Sequence, residues 1–269
     1  MKKEKFPILL DLLILIGLTA LIIFALVRNS AETEIEELKQ PQEAAVESTI
    51  PYAPITDESR LDKFMDQDSG RAMDYHIYIP DNATENMPLI VYLHGTGAIG
   101  NPEYNEHNPA STQARTVYGD DFPFILLAPS SMYNRSWNVK YVPDLLKSLV
   151  DHIANLYNVD RNKIILFGHS MGAIGVFRQI ELYGEFYSAA VPVSLTNVDN
   201  INIESCTVVP IWGFSGTEES PHEYNMRKLF DLINESGGNA MFSAIEGAEH
   251  GDSADYAFTR EVFEWALAQ

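Results

Sequence analysis

Short apolar runs separated by helical patterns recur from about residue 59 to the end of this 269-residue chain. The runs include PLIVYLHG, FPFILLAP, KIILFG, AAVPVS and VVPIWG, which resemble strands buried on both faces of a parallel sheet. Between them, segments such as YVPDLLKSLVDHIANLY place apolar residues at helical spacing. The alternation predicts an α/β domain whose central sheet is mostly parallel and carries helices on both faces.

Two further segments complete the predicted domain. At its start, FMDQDSGRAMDYHIYIP alternates around an Asp-Ser-Gly turn and predicts a hairpin. The aspartates of this turn do not have the spacing of an EF-hand calcium loop, so we interpret it as a polar turn. At the end of the chain, SADYAFTREVFEWALA predicts one last helix.

The N-terminal residues have the pattern of a membrane anchor. Residues 8–27 are apolar except for Asp11 and Thr19, and twenty helical residues span about 30 Å, the thickness of a bilayer core. Lysines precede this run and ETEIEE follows it, which predicts a cytoplasmic N-terminus and an exported domain. A cleaved signal peptide is the alternative.

These patterns divide the chain into three predicted parts. Residues 1–28 form the basic tip and transmembrane signal anchor, and residues 29–58, acidic and dotted with proline, form a linker. Residues 59–269 form the α/β domain. The predicted location is the cell membrane, with a single span and with the α/β domain outside the cell.

Composition excludes several classes of partner and site. The formal net charge is −20, with 18 Lys and Arg against 38 Asp and Glu, so nucleic acid is not an expected partner. Cys206 is the single cysteine, which excludes an internal disulfide and a cysteine-based metal site. We expect it to be a buried, inert thiol, and we expect neither a metal nor a cofactor.

The predicted strand KIILFG ends at Gly168, the first residue of the motif Gly168-His169-Ser170-Met171-Gly172. A helical pattern follows from Met171 to about Tyr183. A serine between two glycines at a strand-to-helix junction is typical of a nucleophile elbow, since the sharp turn leaves room only for small neighbours. The pattern predicts that Ser170 is a catalytic nucleophile at the carboxyl edge of the sheet.

A serine hydroxyl needs a base, and seven histidines are available. In folds with such an elbow, the acid and then the histidine follow the serine along the chain. His222 and His250 follow Ser170, and His222 leaves little room for an acid before it. His250, in the glycine-rich loop of IEGAEHGDSADYAF, is therefore the predicted base. We expect His169 to point away from Ser170 and to pack against the sheet or a helix.

The acid is expected in the loop FSGTEESPHE, after the strand VVPIWG. Glu219 is the first candidate and Glu218 the second, and Asp199 is a third candidate from the preceding strand. A glutamate can hold and orient an imidazole as an aspartate does.

Backbone donors complete the predicted site. The glycines of LHGTG (93–97) allow an N–H group to approach a substrate oxygen, and the Met171 N–H at the helix start can act as a second donor. The segment HGTGAIG lacks the lysine and the glycine spacing of a phosphate-binding loop, so we do not expect a nucleotide site.

The segments MPLIVYLHGTGAIG, YNVDRNKIILFGHSMGAIGVF, FYSAAVPVS, VPIWGFSG and EGAEHGDSAD resemble the α/β-hydrolase superfamily. More closely, the chain resembles secreted esterases related to polyhydroxybutyrate depolymerases and feruloyl esterases, including proteins described as peptidases. The resemblance covers most of residues 72–268. It implies Ser170 as nucleophile, His250 as base and Thr96 as an oxyanion-hole donor. The acid that normally ends an F-H-G-x-x-D segment maps to Glu219, in a segment where serine replaces the histidine and glutamate the aspartate.

The resemblance implies hydrolysis of small-molecule or polymer-linked carboxylic esters through an acyl-serine intermediate. A serine peptidase of the same fold and a catalytically inactive surface binding protein are the alternatives. We expect the pocket walls to come from NPEYNEHNPASTQARTVYGDD and SSMYNRSWNVKY. Trp137 is either a substrate platform or a packing residue.

Overall fold

The structure, a computed structural model, describes residues 60–131 and 136–269. The predicted anchor (1–28) and linker (29–58) lie outside the described residues and stay predictions. Within the described ranges, no helix combines the length and the hydropathy that a membrane span requires.

The described strands form one eight-stranded sheet. They are β1 (Arg60–Asp66), β2 (Arg71–Tyr78), β3 (Leu89–Leu93), β4 (Ile125–Pro129), β5 (Ile164–His169), β6 (Ala189–Val193), β7 (Ile211–Gly216) and β8 (Ala240–Ile245). Their order across the sheet is β1-β2-β4-β3-β5-β6-β7-β8. The β1–β2 and β2–β4 pairs are antiparallel, whereas all neighbours from β4 to β8 are parallel. The predicted mostly parallel sheet is confirmed.

The α-helices of the described chain are α1 (Pro109–Tyr118), α2 (Val142–Leu156), α3 (Met171–Tyr183), α4 (His222–Glu235), α5 (Ser253–Ala257) and α6 (Arg260–Ala268). The prediction of one C-terminal helix is wrong, because the segment forms two helices, α5 and α6, separated by two non-helical residues. At the break Phe258 is fully buried and stacks on Phe167 at 4.9 Å between ring centroids. Thr259 then caps α6, its side chain accepting from the Val262 N–H. The break lets Phe258 reach the core.

The sheet is covered on both faces. On β5, Ile164 and Leu166 belong to the core shared with helices α2, α3 and α4, whereas Ile165 and Phe167 belong to the core shared with α1, α5 and α6. Side chains alternate along a strand, so a strand buried on both faces must be apolar at successive positions. This is the physical reason for the continuous apolar runs in the sequence.

The predicted hairpin and polar turn are also confirmed. β1 and β2 pair in register from Arg60 opposite Ile77 to Asp66 opposite Arg71. In the turn, the Ser69 N–H donates to Asp66 Oδ2 at 3.1 Å. The turn therefore uses an aspartate to satisfy its own backbone.

Candidate active site

Ser170 lies between β5 and α3 in a strained backbone conformation, with φ 57° and ψ −116°. Backbone strain of this kind is frequent at active sites, where the surrounding structure holds the residue in place. A Cβ at Gly168 would lie 2.5 Å from the Gly172 carbonyl oxygen, and one at Gly172 would lie 1.8 Å from the Leu93 carbonyl oxygen. Both flanking positions must therefore be glycine, because the elbow is packed against backbone.

The loop between β8 and α5 brings His250 to Ser170. His250 Nε2 lies 2.8 Å from Ser170 Oγ, and His250 Nδ1 lies 2.7 Å from Glu219 Oε2. Because the ionised carboxylate can only accept, Nδ1 carries the proton and Nε2 is left to accept from the serine hydroxyl. The three side chains form one continuous hydrogen-bonded chain, although Ser170 and His250 are 80 positions apart in the sequence.

The Glu219 carboxylate is buried, while the His250 side chain is 41% exposed. Burial raises the pKa of Glu219, but hydrogen bonds from His250, Ser194, Ser253 and the Gly216 N–H outweigh it and lower the pKa to about 2. The carboxylate therefore remains ionised at neutral pH.

The two other candidate acids lie elsewhere. Glu218 is exposed, and its backbone N–H donates to the Ala248 carbonyl at 3.2 Å. Asp199 is also exposed and lies on the wall of a separate cleft beside Ile174 and Leu195. The structure thus brings Glu219, and neither alternative, against His250.

The segment after β3 approaches the elbow closely. A Cβ at Gly95 would lie 3.4 Å from Ser170 Cβ, and Thr96 begins a short 3₁₀-helix, Thr96–Ala98. Met171 is the first residue of α3, so its N–H has no acceptor within the helix. Of the two backbone donors singled out in the sequence, Met171 therefore follows Ser170 directly in the chain, and Thr96 follows Gly95, which approaches Ser170 in space.

His94 holds the peptide that carries the Thr96 N–H. The Ser131 N–H donates to His94 Nε2 at 2.9 Å, so the ring must carry its proton on Nδ1, which lies 2.6 Å from the Gly95 carbonyl oxygen. Burial lowers the pKa of His94 to about 4 against the opposing effect of the Gly95 carbonyl, so the ring is neutral at neutral pH. The Gly95 carbonyl and the Thr96 N–H belong to the same planar peptide, and fixing one fixes the other.

His169 has a more specific contact than the sequence suggested. Its Nε2 lies 2.8 Å from the carbonyl oxygen of His250, to which it must donate, and the two rings are 5.3 Å apart. Burial lowers the pKa of His169. His169 thus links the elbow to the loop that carries His250 by a hydrogen bond, which the sequence did not predict.

Trp137 is a packing residue. It is 1% exposed, its ring contacts that of His94, and its Nε1–H donates to the His94 carbonyl at 2.9 Å. The alternative role of an open substrate platform is therefore excluded by burial.

A cleft of about 570 Å³ opens beside Gly95, His169 and Gly251. Its outer wall comes from the first of the two predicted loops and includes Glu103 and the 67% exposed ring of Tyr104. Residues 132–135 of the second predicted loop lie outside the described residues. The cleft also contacts Asp255 and reaches His169, which precedes Ser170 in the chain.

No protein-family model matches the chain. The bifunctional acetylxylan esterase/xylanase XynS20E of Neocallimastix patriciarum is 27% identical over 167 residues, covering 61% of this chain and 24% of that protein. Acetylxylan esterase A of Aspergillus ficuum is 26% identical over 141 residues, covering 48% of this chain and 44% of that protein. The chain thus spans less than half the length of either relative.

Among solved structures, that of a thermostable esterase superposes with a TM-score of 0.69 at 24% identity, covering 79% of this chain and 63% of that chain. The domain has the α/β-hydrolase fold. The resemblance to esterases of this fold, inferred above from sequence segments, is confirmed. In this fold, Ser170 occupies the strand-to-helix elbow, and Glu219 and His250 lie in the loops after β7 and β8.

Proposed function

We propose that this protein is a serine esterase that hydrolyses carboxylic esters through an acyl-serine intermediate. The observation that carries the proposal is the hydrogen-bonded chain from Ser170 Oγ through the His250 ring to Glu219, with distances of 2.8 and 2.7 Å. Such a chain gives a weakly nucleophilic hydroxyl the base that it needs. The esterase relatives support the same chemistry.

In the proposed acylation step, Ser170 Oγ attacks the ester carbonyl carbon while its proton passes to His250 Nε2. Glu219 stabilises the resulting imidazolium through Nδ1–H without taking its proton. The negative charge on the former carbonyl oxygen is bound by the Thr96 and Met171 N–H groups. When the carbon–oxygen bond breaks, His250 returns the proton to the departing alcohol.

Deacylation repeats these steps with water. His250 Nε2 removes a proton from a water molecule, whose oxygen attacks the acyl carbon and forms a second tetrahedral intermediate. The bond to Ser170 Oγ then breaks, the serine regains its proton from His250, and a carboxylic acid leaves. All the groups in the cycle are water, substrate and side chains or backbone of this chain.

We also propose that the alcohol part of the substrate is a polar, hydroxyl-rich group such as a sugar. Two relatives are named acetylxylan esterases. The cleft beside Ser170 is lined by the exposed carboxylates of Glu103 and Asp255 and by Tyr104, which is 67% exposed. A panel of acetyl-sugar, short acyl and feruloyl esters tests this part, with preference for acetyl-sugar esters as the expected result.

The nucleophile is tested with Ser170→Ala. We expect hydrolysis to fall by at least about four orders of magnitude and labelling by a fluorophosphonate probe to disappear, because no other group supplies the attacking oxygen. Circular dichroism and the Tm should stay close to those of the parent. Retained activity would refute Ser170 as nucleophile, and an unlabelled, inactive parent protein would instead favour the binding-protein alternative.

The acid is tested with three matched amide variants. Glu219→Gln should lower kcat by about four orders of magnitude, because the carboxylate sets the histidine tautomer and stabilises the imidazolium. Glu218→Gln and Asp199→Asn, both at exposed positions, are the controls and should be nearly silent. Glu219→Asp should recover part of the activity, limited by a carboxylate about 1.5 Å too short. If Glu219→Gln keeps the parental activity and Asp199→Asn is inactive, the catalytic acid is Asp199, in the loop after β6.

A further inference from the structure

The two oxygens of the Glu219 carboxylate have different hydrogen-bond partners. Oε2 faces His250, whereas Oε1 accepts three hydrogen bonds, from Ser194 Oγ at 2.6 Å, from the Gly216 N–H at 2.7 Å and from Ser253 Oγ at 2.5 Å. Both serines are fully buried. A carboxylate oxygen with three donors is held in place along three directions, so the second oxygen is fixed as well.

The backbone conformation of Ser194 favours glycine, which indicates that the serine side chain has a role. It follows β6 with φ 54°, in the left-handed region where glycine is free of strain and serine is not. Its hydroxyl donates to Glu219 Oε1. We interpret the hydroxyl as the reason for a serine at a position that suits glycine.

Ser253 links the acid to the histidine loop. Its Oγ lies 2.5 Å from Glu219 Oε1 and 2.6 Å from the Glu249 carbonyl oxygen, which precedes His250. A hydroxyl has one proton, and an ionised carboxylate is a stronger acceptor than a carbonyl. Ser253 therefore donates to Glu219 while its position at the start of α5 keeps it next to the His250 loop.

We propose that Ser194 and Ser253 are positioning residues that hold Oε1 of Glu219 and so aim Oε2 at His250 Nδ1. The inference rests on the proposed function of the site. A glutamate side chain has one more rotatable bond than an aspartate, so it loses more conformational freedom when it is held in one geometry. Two buried hydroxyls and one N–H supply that restraint in the folded enzyme.

The test compares Ser194→Gly and Ser253→Ala with a matched control, Ser215→Ala. Ser215 is also fully buried and lies next to Gly216 on β7, but its hydroxyl has no hydrogen-bond partner among the described residues. With 4-nitrophenyl acetate, each positioning variant should lose about ten- to a hundredfold in kcat, the range that one hydrogen bond to a charged group contributes. Because neither serine is proposed to touch the substrate, KM should change by less than about twofold. Ser215→Ala should retain the parental kcat.

A double-mutant cycle separates positioning from a general structural effect. In the Glu219→Gln background, Ser194→Gly and Ser253→Ala should lower kcat by less than about twofold, since the carboxylate that they hold against His250 has been replaced by an amide. Losses that are the same in both backgrounds would overturn the proposal.

The remaining outcomes distinguish this inference from the proposed function. If Glu219→Gln is inactive while Ser194→Gly and Ser253→Ala keep the parental kcat, the triad stands and the positioning role is refuted. If Ser170→Ala is inactive and Glu219→Gln is not, the acid assignment fails and this inference fails with it.

Discussion

At the scale of single residues, His94 shows how a buried side chain can set the direction of a backbone donor. Its Nδ1–H contacts the Gly95 carbonyl at 2.6 Å, and the Thr96 N–H is the other end of that peptide. We expect His94→Phe to lower kcat by about ten- to a hundredfold, because a misdirected oxyanion donor loses part of the 10²–10³-fold that such a donor contributes. His94→Asn, which keeps an N–H near the position of Nδ1, should recover much of the loss. Initial rates on a simple acetyl ester measure both variants, and equal rates for parent and His94→Phe would contradict the role.

At the scale of elements, the junction of β3 with α3 depends on the absence of one side chain. A Cβ at Gly172 would overlap the carbonyl oxygen of Leu93, a backbone atom that cannot move without shifting the strand. We expect Gly172→Ala to lower the free energy of unfolding by about 1–3 kcal/mol or more, and the Tm by several degrees. Gly97→Ala is the control, since its Cβ would meet no atom within 4 Å. Thermal unfolding followed by circular dichroism measures the difference, and equal Tm values for the two variants would show that the junction can adjust.

At the scale of the whole molecule, the N-terminal residues predict where the protein is located. Residues 1–28 carry lysines followed by an apolar run of membrane-spanning length, and they lie outside the described residues. We expect the full-length protein to sediment with membranes and a chain from residue 50 onward to remain in the supernatant. Fractionation followed by N-terminal sequencing measures this. Full-length protein found free in the medium with a processed N-terminus would instead support a cleaved signal peptide.

The features that the sequence itself determined are those encoded within a few neighbouring residues. Continuous apolar runs predict strands buried on both faces, and β5 has that burial, with Ile164 and Leu166 on one side and Ile165 and Phe167 on the other. The elbow is equally local, because the glycines that Ser170 requires lie two positions away. The spacing of these residues is a steric requirement of the turn, so it can be recognised without a fold.

Contacts between distant segments were decided by the tertiary structure alone. No local pattern marks Ser194 and Ser253 as partners of Glu219, which lies 25 and 34 positions away from them. The bond from His169 to the His250 carbonyl joins residues 81 positions apart and exists because β5 and the loop after β8 meet at one edge of the sheet. Sequence patterns report which face of an element is apolar, whereas the partners of a buried polar atom depend on which loops the packed sheet brings together.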